Sequence, residues 1–127
     1  MSDSRRALGA LGEHLAAEHL KGAGYRIVER NFRTRHGELD IIAAGERCLI
    51  FCEVKTRIRG RRGGDSPFDS IGHVKRGRVR AMAAQWLAER RAALDEPAQP
   101  DIRFDAIGIS VSPSGQLLAL DHLEGAF

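Results

Sequence analysis

The sequence is poor in the features that mark membrane-spanning or disulfide-linked proteins. Its 127 residues include two cysteines, four prolines and one tryptophan, and aromatic residues make up only 6%. No apolar run is long enough to cross a bilayer, and the start, Met-Ser-Asp-Ser-Arg-Arg, lacks the apolar stretch of a signal peptide. We therefore expect a cytoplasmic protein with no membrane association. Cys48 and Cys52 lie four positions apart in one predicted strand, too far apart for a disulfide, so we expect free thiols.

The residues that are present suffice for one core. Hydrophobic residues make up 43% of the chain, which at this length predicts a single domain over residues 1–127. Apolar residues at helical spacing predict a first helix over residues 5–21 and a second from Asp69 or Ser70 to about Arg91. Period-2 patterns predict the strands, at residues 25–35, on both sides of Gly45, at 102–111 and at 117–120. The expected order is helix, three-stranded meander, helix, strand, strand.

Two carboxylates and a lysine stand at a spacing that one β-hairpin can gather. Glu53 follows Asp40 by thirteen residues, and Lys55 follows Glu53 by two. With residues 45–46 as a two-residue loop, Asp40 would lie opposite Phe51 and diagonal to Glu53, at roughly 7–8 Å between backbones. Strict alternation would then place acidic, basic and apolar side chains on one face: Glu38, Asp40, Ile42, Leu49, Phe51, Glu53 and Lys55.

Adjacent carboxylates repel each other, and partly buried ones must take up protons or find a cation. A hard divalent ion such as Mg²⁺ or Mn²⁺ would resolve the conflict, and a neighbouring lysine could stabilise charge during phosphodiester hydrolysis. The alternative is a solvated hairpin face that carries an ordinary Glu–Lys pair. The apolar residues predicted on the same face favour a partly buried site over a fully solvated one.

Several short motifs together resemble one protein family. They are Gly12-Glu13, Gly24-Tyr25, Arg30-Asn31, residues 37–43 (Gly-Glu-Leu-Asp-Ile-Ile-Ala), residues 51–57 (Phe-Cys-Glu-Val-Lys-Thr-Arg) and Arg103-Phe104-Asp105. In this combination the chain resembles the YraN family of small bacterial proteins. That family resembles archaeal Holliday-junction resolvases and the PD-(D/E)XK nuclease superfamily. The resemblance covers nearly the whole chain and implies an α/β, restriction-endonuclease-like fold with a mixed central sheet.

The resemblance also implies roles for individual residues. Asp40 and Glu53 would be metal ligands, with the Val54 carbonyl as a third, and Lys55 would act on the attacking water. Glu13 would approach the metal from the first helix, although a glutamate at the edge of a helical apolar stripe is more often a solvated residue. The sequence departs from the superfamily pattern at Leu39, where proline usually precedes the aspartate. This departure puts little in doubt about the geometry of the site. Because the family is uncharacterised, the resemblance implies a nuclease-like site more firmly than nuclease activity.

Positive charge is concentrated in the middle of the chain. Residues 54–91 contain eleven Lys/Arg and three acidic residues, within a chain of net charge +3. Because this segment follows the carboxylates directly, it would place a positive field beside the predicted metal site, as a polyanionic substrate requires. Such charge is often only a solvated surface. The predicted nucleic-acid-binding residues are Arg30, Arg33, Arg57, Arg59, Arg61, Arg62, Lys75 and Arg78, with Phe32 as a weak candidate for base stacking.

The sequence thus predicts a divalent-metal-dependent endonuclease that acts on branched or otherwise structured DNA, or on single strands. The first alternative is a catalytically inactive nucleic-acid-binding module of the same fold. The second is an interaction subunit whose basic surface meets an acidic protein. Symmetric cutting of a four-way junction would require a homodimer, and the sequence alone does not decide the oligomeric state.

Overall fold

The computed structural model describes residues 2–59, 73–90 and 101–126. Within these residues the chain forms two helices and five strands. In chain order they are α1 (Ser2–Gly22), β1 (Arg26–Thr34), β2 (Gly37–Ala44), β3 (Cys48–Ile58), α2 (His73–Arg90), β4 (Asp101–Val111) and β5 (Leu117–Leu123). The predicted order of elements is confirmed.

The five strands form one mixed sheet in the order β1-β2-β3-β4-β5. Strands β1, β2 and β3 form an antiparallel meander, β3 and β4 are parallel, and β5 returns antiparallel to β4. Parallel neighbours cannot be joined by a tight hairpin, so the chain between β3 and β4 must cross over the sheet. Helix α2 lies in that connection. The structure is therefore a mixed α/β fold.

One helix packs on each face of the sheet. Ala16, Ala17 and Leu20 of α1 lie in a buried cluster with Ile50 and Cys52 of β3. Val79, Met82, Ala83 and Trp86 of α2 lie in a second cluster with Leu49 and Phe51. Because successive side chains of a strand point to opposite faces, these alternating β3 residues assign the clusters to the two sides of the sheet. We call these sides the α1 face and the α2 face.

Both helices are fixed by specific contacts near their C-terminal ends. Helix α1 ends in a left-handed Gly24 (φ +99°), with a hydrogen bond of 2.9 Å from the Tyr25 amide to the Leu20 carbonyl. This arrangement is a Schellman motif, in which glycine avoids the steric cost of positive φ. In α2, the Trp86 indole and the Arg90 guanidinium donate to the same Oε1 of Glu29 in β1, at 3.1 and 2.8 Å.

The register of the β2–β3 hairpin differs from the predicted one by two residues. Ile42 pairs with Phe51, and Ala44 pairs with Leu49. The loop comprises residues 45–47, and the Gly45 amide donates to the Cys48 carbonyl at 2.8 Å. The prediction that Asp40 lies opposite Phe51 is therefore wrong. A shift of two residues returns every side chain to its own face, so the hydrophobic pattern cannot distinguish the two registers.

Alternation along β2 breaks at Asp40. Leu39 and Ile42 both belong to the α2-face cluster, whereas Ile41 belongs to the α1-face cluster. The prediction that Glu38, Asp40 and Ile42 share one face is wrong. On the neighbouring strand, Asn31 has φ +56°, the one positive φ among the described non-glycine residues. It lies between the pairs Arg30–Ile41 and Phe32–Leu39, so the two strands change face together.

Candidate metal centre at a fork in the sheet

The sheet forks beside the predicted site. The β2–β3 ladder begins at Ile41–Cys52, and the N-terminal part of β2 pairs with β1 as far as Gly37. Strand β3 pairs with β4 along its whole length, from Cys48 to Ile58, so beyond Cys52 it continues without β2. Asp40 and Glu53 are the first residues past the point where β2 and β3 separate. A fork between strands leaves room for side chains from both of them.

The carboxylate of Asp40 is fixed at this fork by backbone. Its Oδ2 accepts a hydrogen bond of 2.7 Å from the Val54 amide. In a continuous ladder a carbonyl oxygen of β2 would accept such a bond. Asp40 thus replaces a backbone acceptor where the strands diverge, and its side chain is held between β2 and β3.

Three carboxylates from two elements converge at the fork. One oxygen each of Glu13 in α1 and of Glu38 and Asp40 in β2 lie within 4.8 Å of one another, and all three residues are half-buried. We call this set the carboxylate trio. The predicted ligands Glu13 and Asp40 are brought together, and Glu38 takes part although the sequence prediction did not include it as a ligand. The signal for Glu38 was its position two residues before Asp40.

Close contact between α1 and β3 brings Glu13 to the fork. A Cβ added to Gly12 would stand 1.7 Å from Oγ1 of Thr56 and 2.8 Å from its Cβ. Only glycine allows the helix to approach the strand this closely. Gly12 therefore allows the short distance between α1 and β3, and the next residue, Glu13, belongs to the carboxylate trio.

The electrostatics of the trio reflect its crowding. Burial, and secondarily the charge of Asp40, raises the pKa of Glu13, while a hydrogen bond from the Asn31 side chain acts in the opposite direction. Two arginines of β1 partly neutralise the trio. Arg30 Nη2 lies 3.7 Å from Glu13 Oε2, and Arg33 Nε lies 3.2 Å from Glu38 Oε2.

The remaining predicted site residues lie on β3, the strand whose Val54 amide donates to Asp40. Glu53 is buried, with 2% of its surface exposed, and is not a member of the trio as found among the described residues. Val54 packs against the α1-face cluster, and Lys55 is half-buried. Alternation from Phe51 and Cys52 assigns Glu53 and Lys55 to the α2 face of β3. The Asp40 carboxylate lies in the fork itself, against the backbone of the strand that carries this Glu–Lys pair.

The predicted nucleic-acid-binding arginines have different surroundings. Arg57 is half-buried, and its Nε donates to Ser110 Oγ at 3.2 Å. Arg59 and Arg78 are exposed, the first just beyond β3 and the second on α2. Lys75 lies in α2, but its side chain is outside the described part of the chain, as are Arg61 and Arg62. Phe32 is 7% exposed and packs in the α2-face cluster, so the prediction that it stacks on bases is wrong.

A second polar cluster lies on the α1 face and was not predicted. Asp105 is fully buried and accepts two 2.8 Å hydrogen bonds from Arg103, one from His122 at 2.7 Å and one from the Gly125 amide at 3.1 Å. Burial alone would raise the pKa of Asp105, but these hydrogen bonds outweigh it, and the pKa is lowered. His19 Nε2 lies 3.0 Å from His122 Nδ1. The histidines are 103 positions apart, so no local motif could reveal them.

These observations define a mixed α/β protein with a carboxylate-lined fork in its sheet. The chain belongs to the family described as Uncharacterised protein family UPF0102, whose sequence pattern matches residues 12–109. The YraN-like resemblance seen in the sequence motifs is thereby confirmed. Neither described helix combines the length and apolar content needed to span a bilayer.

Relatives in this family align over almost the entire chain. A UPF0102 protein of Nocardia farcinica is 46% identical over 97% of this chain and 91% of its own length. One from Frankia alni is 41% identical over 98% and 97%, and one from Mycolicibacterium gilvum is 37% identical over 98% and 96%. Each name states family membership only.

Proposed function

We propose that this protein is a divalent-metal-dependent endonuclease of restriction-endonuclease-like fold that hydrolyses phosphodiester bonds in branched or otherwise structured DNA. The observation that carries the proposal is the fork. There Glu13, Glu38 and Asp40 converge within 4.8 Å of one another beside the Glu53-Val54-Lys55 segment. Basic side chains from β1 border the same place.

The donor set of the trio fits a hard divalent cation. Mg²⁺ and Mn²⁺ prefer carboxylate and carbonyl oxygens, and Mg²⁺ is usually held by one or two carboxylates together with water and substrate phosphate. Glu13, Glu38 and Asp40 offer three such oxygens from different residues. The sequence predicts two further ligands: the carbonyl of Val54, the residue whose amide donates to Asp40, and Glu53, which would approach the ion from the α2 face of β3. When bound, such an ion supplies Lewis-acid polarisation of the phosphate and a more acidic water.

The chain's own residues have distinct parts in this proposal. The Val54 amide holds the Asp40 carboxylate in place, so little conformational freedom is lost when Asp40 takes up its role. Lys55, two residues after Glu53, would stabilise the negative charge that develops on the phosphate. The exposed arginines, among them Arg59 and Arg78, would hold the substrate through its phosphates without reading its sequence.

One observation favours the binding module as a second candidate. Arg30 and Arg33 already lie in ion-pair distance of Glu13 and Glu38, so the trio has internal counter-charges. A protein that never binds metal could keep its carboxylates in this way. It would grip nucleic acid through its basic surface without cutting it.

Metal-dependent thermal stability tests the site directly. Mg²⁺ or Mn²⁺ should raise the melting temperature of the wild type by mass action, because only the folded chain gathers the three carboxylates. Asp40→Asn should remove most of the rise. Asp121→Asn, an exposed carboxylate of β5 outside the trio, is the matched control and should respond like the wild type. Equal metal responses in Asp40→Asn and Asp121→Asn would refute the metal site.

A further inference from the structure

Arg30 and Arg33 form ion pairs with two of the three carboxylates of the trio. Arg30 Nη2 approaches Glu13 Oε2 at 3.7 Å, and Arg33 Nε approaches Glu38 Oε2 at 3.2 Å. Both arginines belong to β1, and Arg33 is the direct cross-strand partner of Glu38. The Asn31 side chain between them hydrogen-bonds to Glu13. Two members of the carboxylate trio therefore already have a guanidinium as counter-ion.

These ion pairs are suited to exchange. The side chain of Arg33 is 80% exposed and that of Arg30 is 37% exposed. Pairs with such exposure contribute little to stability, because water and salt screen them and because holding two long side chains costs entropy. A released guanidinium is a strong partner for phosphate, which it can bind through two parallel N–H groups. The arginines can therefore leave the carboxylates at small cost.

We propose that Arg30 and Arg33 act as an exchangeable counter-ion pair that couples metal binding to nucleic-acid binding. In the metal-free protein they neutralise Glu13 and Glu38. A divalent cation that takes these carboxylates releases the two guanidinium groups to the phosphates of the nucleic acid. This inference rests on the proposed function and specifies how its site is regulated.

The coupling works in both directions. Without metal, phosphate must compete with one carboxylate for each arginine and is repelled by the trio. With metal, the trio is neutralised and the arginines are free, so nucleic acid binds more tightly. Linkage then requires that nucleic acid tighten metal binding by the same factor. The arginines thus oppose metal in the free protein and favour it in the complex.

The decisive measurement is metal affinity in the absence of nucleic acid, by calorimetric titration with Mn²⁺. Arg30→Gln and Arg33→Gln each remove a competing cation and should bind Mn²⁺ about two- to fivefold more tightly, as expected from the strength of exposed ion pairs. Arg30→Lys and Arg33→Lys retain the charge and should stay closer to the wild type. Arg26→Gln removes the same charge from the far end of β1, opposite Ala44, and should change the affinity least.

A second measurement compares DNA affinity with and without Mg²⁺, using a labelled branched DNA whose integrity is checked by gel after each titration. Mg²⁺ should increase the affinity of the wild type. In the Arg30→Gln/Arg33→Gln double variant, DNA should bind more weakly and the increase should shrink. The double variant would therefore bind Mn²⁺ more tightly and DNA more weakly, a combination that general loss of folding cannot produce.

The two proposals fail in different ways. If Asp40→Asn binds Mn²⁺ as tightly as the wild type, the metal site and the proposed function are refuted. If Mn²⁺ binding depends on Asp40 but the double variant binds Mn²⁺ no more tightly than Arg26→Gln, the exchange is refuted while the metal site stands.

Discussion

The Val54 amide donates a 2.7 Å hydrogen bond to Oδ2 of Asp40, at the point where β2 and β3 separate. One interaction thereby satisfies a backbone donor that has left the ladder and fixes a carboxylate beside Glu53 and Lys55. A buried backbone N–H without an acceptor is costly, so the sheet can fork here only if a side chain replaces the lost carbonyl. The same hydrogen bond therefore meets a requirement of the fold and positions the candidate ligand.

Lys55→Ala separates the endonuclease from the binding module. If Lys55 stabilises charge in the transition state, its loss should slow metal-dependent cleavage by roughly 100-fold or more while leaving binding nearly intact. The measurement pairs equilibrium binding with single-turnover cleavage of one labelled branched DNA. A wild type that binds tightly but cleaves no substrate with Mg²⁺ or Mn²⁺ would favour the binding module, and a Lys55→Ala variant that cleaves normally would remove the role of Lys55.

Salt dependence should report on the basic segment after β3. Replacing Arg59, Arg61 and Arg62 with alanine should weaken binding to all DNA sequences alike and reduce the salt slope by up to roughly one unit per lost phosphate contact. Loss of the exposed Arg59 side chain should change stability little, since exposed charges contribute little to folding. Fluorescence anisotropy over a salt series would measure both quantities, and a wild-type affinity that ignores salt would contradict phosphate recognition.

Gly12→Ala should destabilise the fold by about 1–3 kcal/mol, the usual cost of overpacking a close contact. The added methyl group would overlap Thr56, and α1 would have to move away from β3. Gly9→Ala in the same helix is the control. No atom lies within 4 Å of its added Cβ, so this change should be neutral or stabilising because alanine is the better helix former. Denaturant unfolding of both variants checks the prediction, and equal effects would contradict it.

Asn31→Ala and Asn31→Gly distinguish the backbone role of Asn31 from its side-chain role. Both variants lose the hydrogen bond to Glu13, but only alanine carries a Cβ at φ +56°. In Asn31→Ala the left-handed conformation should lower the free energy of unfolding by about 1–2 kcal/mol relative to an unstrained residue. Asn31→Gly should therefore be the more stable of the two variants. Similar unfolding free energies for the two variants would show that the left-handed conformation costs little here.

Acid should weaken the fold in two steps through the polar cluster on the α1 face. Burial and the neighbouring His122 lower the pKa of His19, so the unfolded chain takes up this proton first and stability falls as the pH drops below about 6.5. The lowered pKa of Asp105 stabilises the fold above the ordinary aspartate value, and this contribution is lost as the pH falls through the folded pKa. In a plot of unfolding free energy against pH, His19→Gln should flatten the fall that begins below about pH 6.5. Asp105→Asn should flatten the fall at lower pH.

Local sequence signals were sufficient for the elements and for their order. The apolar spacing of α1 predicted a helix over residues 5–21, and the structure has it from Ser2 to Gly22. The period-2 pattern likewise predicted β4 to within one residue at its start. Both signals act within a few residues of the chain, so neighbouring side chains alone reveal them.

The register of the hairpin could not be predicted, because a two-residue shift preserves every face. The sequence pattern also could not predict the left-handed backbone of Asn31 or the change of face at Asp40. Strand prediction assumes strict alternation, and both features break it. His19 and His122 meet because α1 packs across the sheet as far as β4, the strand beside β5.

The sequence by itself therefore determined which residues form the helices and strands, which family the chain belongs to and which short motifs carry carboxylates. Tertiary structure alone decided which carboxylates meet. Periodicity reports the solvent and core sides of one element, whereas a site depends on distances between elements, and those are set by packing. The absence of a side chain at Gly12 determines how closely α1 approaches β3, and the left-handed backbone of Asn31 lies where β1 and β2 change face beside Asp40.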